Sequence, residues 1–194
     1  MSAGGFRHAA ARAARRLRFG IWLARSRTSQ LWWRLLYPNI RIGRRVYLHP
    51  GVHLAAHDGG CIDIGDDCEI GAHATLIAEG GAMHIGSGSH IGIGAVLIAR
   101  QEIAIGADAL VSQYVAIRDH DHGIGPGAPY RSQPQVATPV RIGRNVWLGT
   151  KATVLKGVSI GDDCVVGANA VVTRDLESGT LAVGAPARAI RRVR

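Results

Sequence analysis

The stretch VRIGRNVWLGTKATVLKGVSIGDDCVVGANAVVTRD, residues 140–175, repeats an apolar side chain every six residues. The repeated positions are Ile142, Leu148, Val154, Ile160, Val166 and Val172. A second small or β-branched residue follows four places later, at Val146, Ala152, Val158, Cys164 and Ala170. Two inward positions in every six residues do not fit the 3.6-residue period of an α-helix. The pattern predicts short strands joined by tight turns.

The same period covers most of the chain and forms six triplets. The four earlier triplets are Ile42, Leu48 and Leu54; Ile64, Ile70 and Leu76; Ile85, Ile91 and Leu97; and Ile105, Val111 and Ile117. Glycine often follows the apolar residue, and tight turns require residues that tolerate unusual backbone angles. Three hexapeptides form one coil of a triangular prism, and stacking pairs each strand with its equivalent in the next coil. We therefore expect an all-β fold, a parallel β-helix of about six coils and roughly 25–30 Å tall.

Composition and charge restrict the class of protein. The 194 residues are 47% hydrophobic and 19% charged, which is typical of one globular domain. The formal net charge of +9 is concentrated in residues 1–57, which contain eleven arginines and no Asp or Glu. The rest of the chain is close to neutral, so we expect no nucleic-acid partner. Three cysteines without a CxxC pair indicate a reducing compartment, and we expect a cytoplasmic protein.

The basic N-terminal segment, residues 1–40, has helical composition and includes FRHAAARAARRLRFGIWLARSRTSQLWWRLLYP. It contains no apolar run of the ~18 residues that a membrane span requires, and no cleavage site of a secretion signal. One interpretation is a helical cap on the open end of the β-helix. Another is a basic amphipathic helix that makes peripheral contact with anionic lipid at the inner face of the membrane. An organellar transit peptide is a third.

A long insertion interrupts the coils and contains the sequence IRDHDHGIG, residues 117–125. The first residues of successive triplets are 22, 21, 20, 37 and 18 positions apart, and the fourth separation carries the insertion. We assign it to a protruding loop at 119–139, which holds four of the seven prolines. Loops of this length within a compact domain are often functional. We expect ordered, irregular chain that projects from a corner of the prism.

The DHDH motif in this loop allows two kinds of chemistry. His120 and His122 could bind zinc only with a third ligand from a neighbouring coil, for example His84 or His90. Alternatively, a neutral imidazole could remove a proton from an acceptor hydroxyl, with Asp119 or Asp121 fixing its tautomer. The second chemistry needs no metal, and we expect none.

From about residue 42 to residue 192 the chain resembles the hexapeptide-repeat acyltransferases, whose fold is a left-handed parallel β-helix. Residues 140–175 are similar to the stretch that resumes the helix after an external loop in the maltose, galactoside and polysaccharide O-acetyltransferases. The resemblance implies an acetyl-CoA donor, a homotrimer with the donor bound between subunits, and a sugar acceptor. It places the family histidine at His122, with His120 as the alternative.

The same resemblance implies a set of donor-binding residues. Thr150 and Ala168 match positions whose backbone contacts the pantetheine arm, and Gly149 precedes the first of them. Thr173 and Arg174 match a Thr-Lys pair of the family, while Arg188 and Arg191 match basic residues near the CoA phosphates. Trp147 lies at an outward position, where it could line a ligand surface or pack beneath the loop.

These expectations define three regions and a function. Residues 1–40 form the basic N-terminal segment, residues 41–178 the β-helix with catalytic loop 119–139, and residues 179–194 a C-terminal tail that completes the CoA site. The expected function is direct transfer of an acetyl group from acetyl-CoA to a sugar hydroxyl of a surface polysaccharide or lipopolysaccharide precursor. Two alternatives are an N-acyltransferase acting on an amino sugar or amino acid, and a non-catalytic or gamma-carbonic-anhydrase-like scaffold on the same fold.

Overall fold

The structure is a computed structural model, and it describes residues 37–193. The predicted helical segment at the N-terminus therefore lies almost wholly outside the described residues. In chain order the strands are β1 Ile40–Ile42, β2 Tyr47–Leu48, β3 His53–His57, β4 Cys61–Ile64, β5 Glu69–Ile70, β6 Thr75–Glu79, β7 Ala82–Ile85, β8 His90–Ile91, β9 Val96–Ala99, β10 Glu102–Ile105, β11 Leu110–Val111, β12 Ala116–Arg118, β13 His120–His122, β14 Gln135–Ala137, β15 Val140–Ile142, β16 Trp147–Leu148, β17 Thr153–Val154, β18 Ser159–Ile160, β19 Val165–Val166, β20 Val171–Val172, β21 Thr180–Val183 and β22 Arg188–Arg192. One 3₁₀ turn, Tyr130–Ser132, lies between β13 and β14.

The strands form three parallel sheets that make the sides of a triangular solenoid. Face A consists of β1, β4, β7, β10, β15 and β18, and face C of β3, β6, β9, β12, β17 and β20. Face B consists of β2, β5, β8, β11, β16, β19 and β21, with β22 added at its end. Each coil contributes one strand to each face, and the faces of six strands confirm the prediction of six coils.

The core is the ladder of apolar residues that the period predicts. All eighteen residues of the six triplets are buried. Equivalent residues are in register between coils, as when Ile64 pairs with Ile85 on face A and Ile70 with Ile91 on face B. Full burial of an Ile, Leu or Val side chain contributes about 1.5–3 kcal/mol. Stacking therefore fixes the register, because a slip of one residue would turn these side chains outward.

The corners of the solenoid use two kinds of special residue. The backbone has a positive φ three positions after most inward apolar residues, for example 59° at Asp67 and 54° at Asn145. Asp and Asn tolerate this region better than most residues, which explains their use at these corners. The glycines that directly follow the apolar residues serve another purpose. A Cβ atom on Gly65 would lie 2.6 Å from the backbone nitrogen of Ser87 in the next coil, so these glycines permit the coils to approach.

The protruding loop at 119–139 starts and ends as a β-hairpin. Strands β13 and β14 pair antiparallel, with His120 opposite Ala137 and His122 opposite Gln135. The prediction of irregular chain is therefore wrong at the base of the loop, because its two ends supply each other's backbone hydrogen bonds. Nearer the tip, the Gln133 side chain accepts a hydrogen bond from the Gly125 N–H and donates to the Gly125 and Ala128 carbonyls.

Beyond the sixth coil the chain begins a seventh and then reverses. Leu176 forms a bridge with Ile160 on face A, and β21 pairs parallel with β19 on face B. Strand β22 then folds back antiparallel on β21. The predicted C-terminal tail is thus a hairpin that covers the last parallel edge of face B. In the described range, 37–193, no helix is long and apolar enough to span a membrane.

Candidate active site

The first part of the site is a buried carboxylate at the corner between faces C and A. Asp119 directly follows β12 and is 0% exposed. Its carboxylate accepts hydrogen bonds from three consecutive backbone N–H groups in the coil before it, at 2.7 to 2.9 Å. The donors are Arg100, Gln101 and Glu102. Because the turn between β9 and β10 leaves these groups unpaired, the aspartate completes the turn and is itself held rigidly.

The second part is the adjacent histidine, which points at this carboxylate. The Nδ1 atom of His120 lies 2.9 Å from Oδ1 of Asp119, and His120 is 7% exposed. A carboxylate only accepts hydrogen bonds, so Nδ1 donates to Asp119, and in the neutral form of the ring Nε2 is left unprotonated. This is the arrangement of a general base with an orienting carboxylate.

The other half of the DHDH motif is arranged differently. His122 is exposed, and its Nε2 lies 3.0 Å from the side-chain nitrogen of Gln135, which donates to it. Asp121 is also exposed, and its carboxylate lies 3.3 Å from Nζ of Lys156. The structure therefore gives a carboxylate partner to His120, whereas the resemblance favoured His122. Sequence reasoning missed Gln135, which no pattern singles out.

The hairpin places both histidines on one side. Alternation along β13 puts His120 and His122 on the same face, together with their cross-strand partners Ala137 and Gln135. Asp121 lies on the opposite face of the hairpin, where it meets Lys156 from the fifth coil. This contact ties the hairpin to the solenoid.

Several predicted donor-binding residues meet at a different corner, between faces B and C. A Cβ atom on Gly149 would lie 2.6 Å from the backbone nitrogen of Ala168, and the Asn169 N–H donates to the Thr150 carbonyl at 2.9 Å. Gly149, Thr150 and Ala168 thus stack in successive coils. Trp147 precedes this corner on face B, where it is 48% exposed and donates from Nε1 to the Ser112 hydroxyl at 3.1 Å.

The four remaining predicted donor-binding residues occupy two places. Thr173 and Arg174 follow β20 at the corner between faces C and A, two coils beyond Asp119, and both are exposed. Arg188 and Arg191 lie in β22, opposite Val183 and Leu181 of β21. Arg188 is therefore next to the corner between faces B and C, while Arg191 lies further along face B. Within one chain, face C separates the Asp119–His120 pair from the corner that holds Thr150 and Ala168.

The proposed third zinc ligands do not approach the motif. The Nδ1 atom of His84 lies 3.3 Å from Asp63, and that of His90 lies 3.5 Å from Glu69. Across residues 37–193, no group of three or more His, Cys, Asp and Glu side chains could hold a metal ion.

Comparison with known proteins supplies an independent line of evidence. The sequence matches the family described as a hexapeptide repeat of succinyl-transferase over residues 62–99 and 139–174. A protein of Mycobacterium tuberculosis, named a probable acetyltransferase, is 32% identical over 182 residues, which are 88% of this chain and 61% of that protein. This chain therefore spans less than two thirds of that relative. WbbJ of Escherichia coli, named a candidate lipopolysaccharide biosynthesis O-acetyl transferase, is 34% identical over 142 residues, 69% of this chain and 72% of WbbJ.

Among solved structures, the fold is similar to that of AntD, an N-acyltransferase from Bacillus cereus. A point mutant of AntD, in complex with dTDP-4-amino-4,6-dideoxyglucose and coenzyme A, superimposes with a TM-score of 0.71 at 22% identity. The match covers 83% of this chain and 88% of AntD. At this level of identity the comparison establishes the fold alone.

Proposed function

This chain belongs to the hexapeptide-repeat acetyltransferase family, and we propose that it transfers the acetyl group of acetyl-CoA to a hydroxyl group of a sugar. The observation that carries the proposal is the buried Asp119–His120 pair, with its 2.9 Å contact, at the base of the protruding hairpin. The similarity to WbbJ supports a precursor of lipopolysaccharide or surface polysaccharide as the acceptor.

The transfer needs one base and no covalent enzyme intermediate. Nε2 of His120 takes the proton of the acceptor hydroxyl while the hydroxyl oxygen forms a bond to the thioester carbonyl carbon. Asp119 stabilises the imidazolium that results, and its three backbone hydrogen bonds keep it in place. When the tetrahedral intermediate collapses, the carbon–sulfur bond breaks and the CoA sulfur takes the proton from His120. The products are the acetylated sugar and free CoA.

We assign the base to His120 and not to His122 because of their surroundings. His120 is buried beside a carboxylate that stabilises its protonated form, whereas the ring nitrogen Nε2 of His122 is occupied by the Gln135 amide. The nearby Asp121 carboxylate lies against Lys156. His122 and Asp121 then contribute to the structure of the hairpin and not to proton transfer.

The division of the site between two corners supports a homotrimer. His120 lies at the corner between faces C and A, and Thr150 and Ala168 lie at the corner between faces B and C. A second copy can bring its Thr150 corner beside the His120 corner of the first, and a three-fold axis repeats this contact around a closed ring. The donor would then bind between subunits, with residues 179–194 supplying Arg188 and Arg191 for the CoA phosphates.

The location of the protein is also a proposal. We assign it to the cytoplasm, at the inner face of the membrane, where precursors of surface glycans are assembled. The basic N-terminal segment, residues 1–40, contains eight arginines and no acidic residue, which favours contact with anionic lipid. Co-sedimentation with vesicles that contain anionic or only neutral lipids tests this contact in the full chain.

Release of free thiol from acetyl-CoA tests the proposed activity. Thiol release by the native protein and by His120→Asn is measured with each member of a panel of acceptors, which are methyl hexopyranosides and amino sugars. The products are identified by mass spectrometry. Ester formation that requires His120 supports the proposal. Release with amino sugars alone would identify an N-acyltransferase, whose fold this chain shares. No release and no CoA binding would favour a non-catalytic scaffold.

A further inference from the structure

Arg118 carries an exposed positive charge two residues before the candidate base. It is the last residue of β12, and because Ile117 points into the core, Arg118 points outward on face C. It pairs with Ile98 of the preceding coil, and Leu155 follows the strand that pairs with β12 in the next coil. Within residues 37–193 no Asp or Glu side chain forms an ion pair with Arg118. Its strand neighbours on face C are apolar and leave its charge unneutralised.

Most other arginines of the coils do have an acidic partner. Residues at equivalent places in adjacent coils are neighbours, so ion pairs between coils form readily. These pairs are Arg41–Asp63, Arg44–Asp66, Arg45–Asp67, Arg100–Glu79, Arg141–Glu102 and Arg144–Asp162. Among the described coils the other exception is Arg174, which lies at the same corner as Arg118, two coils further on. Unpaired arginines at the corner of the candidate base indicate an anionic ligand.

The acidic side chains closest in sequence to Arg118 have other partners. Asp119 is buried, and its carboxylate accepts three backbone hydrogen bonds. Asp121 contacts Lys156 on the opposite face of the hairpin. Neither carboxylate neutralises Arg118, so its charge remains for a partner from outside this part of the chain.

The second copy in the proposed trimer supplies no acidic partner at the corner that would lie opposite. This corner, between faces B and C, is formed in the last three full coils by residues 112–115, 149–152 and 167–170. None of these residues is Asp or Glu, and Lys151 adds a positive charge. The cleft between the two copies therefore stays positively charged beside Arg118, and its complementary ligand is an anion.

The phosphates of CoA lie too far away to be this anion. In the proposed donor site, CoA passes Thr150 in the fifth coil and Ala168 in the sixth, and its phosphates meet Arg188 in β22. Strand β22 lies four strand spacings, about 19 Å, beyond β11, which belongs to the same coil as Arg118. The thioester must reach His120, so the phosphates bind at the other end of the site. An anion at the level of Arg118 then belongs to the acceptor.

We propose that Arg118 binds a phosphate group of the acceptor, and that the acceptor is a sugar carrying a phosphate or diphosphate. The guanidinium group donates two parallel hydrogen bonds to phosphate oxygens while His120 takes the proton of the reacting hydroxyl. The inference rests on the proposed function and narrows its substrate class from free sugars to phosphorylated sugars. Nucleoside diphosphate sugars and lipid-linked sugar diphosphates share this chemistry. Arg118 is then a specificity-determining residue.

The test compares acceptors that share one hexose and differ only at its anomeric carbon. Thiol release from acetyl-CoA is measured with the methyl hexopyranoside, the hexose 1-phosphate, the uridine diphosphate hexose and a prenyl diphosphate hexose. The full-length native protein is compared with Arg118→Met, which removes the charge, and with Arg118→Lys, which keeps it. Arg144→Met removes a charge at the corner between faces A and B and is the matched control. Thermal unfolding followed by circular dichroism establishes that each variant is folded.

The native protein should have a kcat/KM about 10- to 100-fold higher for a phosphorylated acceptor than for the methyl hexopyranoside, as one charge-assisted contact provides. Arg118→Met should lose this preference, Arg118→Lys should keep part of it, and Arg144→Met should keep all of it. A preference for the uridine diphosphate hexose alone identifies a nucleotide sugar. A preference for the prenyl diphosphate hexose alone identifies a lipid-linked acceptor.

Two results with Arg118→Met would overturn the inference. A higher KM for acetyl-CoA would assign the arginine to the donor, and an equal loss of rate with every acceptor would assign it a purely structural role.

The failure of this inference can be told apart from the failure of the proposed function. If the native protein acetylates the methyl hexopyranoside in a reaction that requires His120, and the phosphorylated acceptors react no faster, only the role of Arg118 is refuted. If no acceptor of this series or of the hexopyranoside panel is acetylated, the proposed sugar activity and the role of Arg118 are refuted together.

Discussion

The Asp119 carboxylate and Nδ1 of His120 lie 2.9 Å apart in the interior of the protein, where these side chains are 0% and 7% exposed. One neighbour of the carboxylate is the imidazole and the others are backbone N–H groups of the preceding coil. The same residue therefore joins two coils and orients the candidate base. This double role leads to the first two predictions.

Replacing His120 by Asn should reduce acetyl transfer about 100- to 10,000-fold, because removal of a general base has this range of effect. The matched change His122→Asn should retain most of the activity, since His122 has only the Gln135 amide as a partner in the hairpin. Steady-state rates at saturating acetyl-CoA measure both effects, with CoA binding as the control. A larger loss in His122→Asn than in His120→Asn would move the base to His122.

Replacing Asp119 by Asn should lower both activity and stability. The side-chain amide of the variant would turn an N–H₂ group towards the backbone N–H groups or towards the Nδ1–H of His120, and two donors that face each other are unfavourable. The free energy of unfolding should therefore fall by about 2–4 kcal/mol. The matched change Asp121→Asn removes only an exposed contact with Lys156 and should cost less than about 1 kcal/mol. Urea unfolding of the two variants checks the difference. Equal stability losses would contradict the anchoring role of Asp119.

Mixing two inactive variants should restore activity if the site lies between subunits. His120→Asn removes the base, and Ala168→Trp blocks the exposed corner where the pantetheine arm is expected to bind. When equal amounts of the two variants mix at random, half of the subunits carry an intact His120 and the other half carry an intact Ala168 corner. An interface then combines the two intact parts in about one quarter of cases, so about one quarter of the native activity should return. The variants are refolded together and separately. Recovery no greater than that of the separate proteins would argue against a shared site.

Two ion pairs between the first and second coils should make stability depend on acidic pH. The backbone N–H and the side chain of Arg44 hold the pKa of Asp66 below its ordinary 3.8, and the Arg45 side chain lowers the pKa of Asp67 from the same value. Because the two carboxylates have a lower pKa in the folded protein, they take up protons in the unfolded chain at a higher pH than in the folded protein. The contribution is therefore present above about pH 4 and is lost as pH falls below it.

Thermal midpoints of the native protein and of Asp66→Asn/Asp67→Asn, measured from pH 6 to pH 2, test this dependence. The double variant should show the smaller decrease over this interval, because the two linked carboxylates are gone. An identical decrease in both proteins would show that other groups control acid stability.

The coil architecture was predictable because it depends on local repetition. Every hexapeptide places Ile64, Ile85 or an equivalent residue inward, and stacking then sets the register between coils. The family that this period indicates is confirmed by the matches to the hexapeptide-repeat sequences and to WbbJ. The partial seventh coil escaped prediction, since Leu176 follows Val172 after four residues instead of six.

The choice between the two histidines could not be made from the sequence. In DHDH, His120 and His122 each have an aspartate immediately before them, so local sequence treats them alike. The preceding coil removes this equivalence. It offers three unpaired N–H groups to Asp119 and buries it, while Asp121 remains at the surface beside Lys156.

The sequence by itself thus determined the period, the inward residues and the place of the inserted loop, because these depend on neighbours a few residues apart. Only the tertiary structure decided which carboxylate is buried against which imidazole. It also separated His120 from the Thr150 corner across face C. These outcomes depend on contacts between coils about 17–19 residues apart, such as those from Asp119 to the turn at Arg100, where burial and hydrogen-bond competition select the partners.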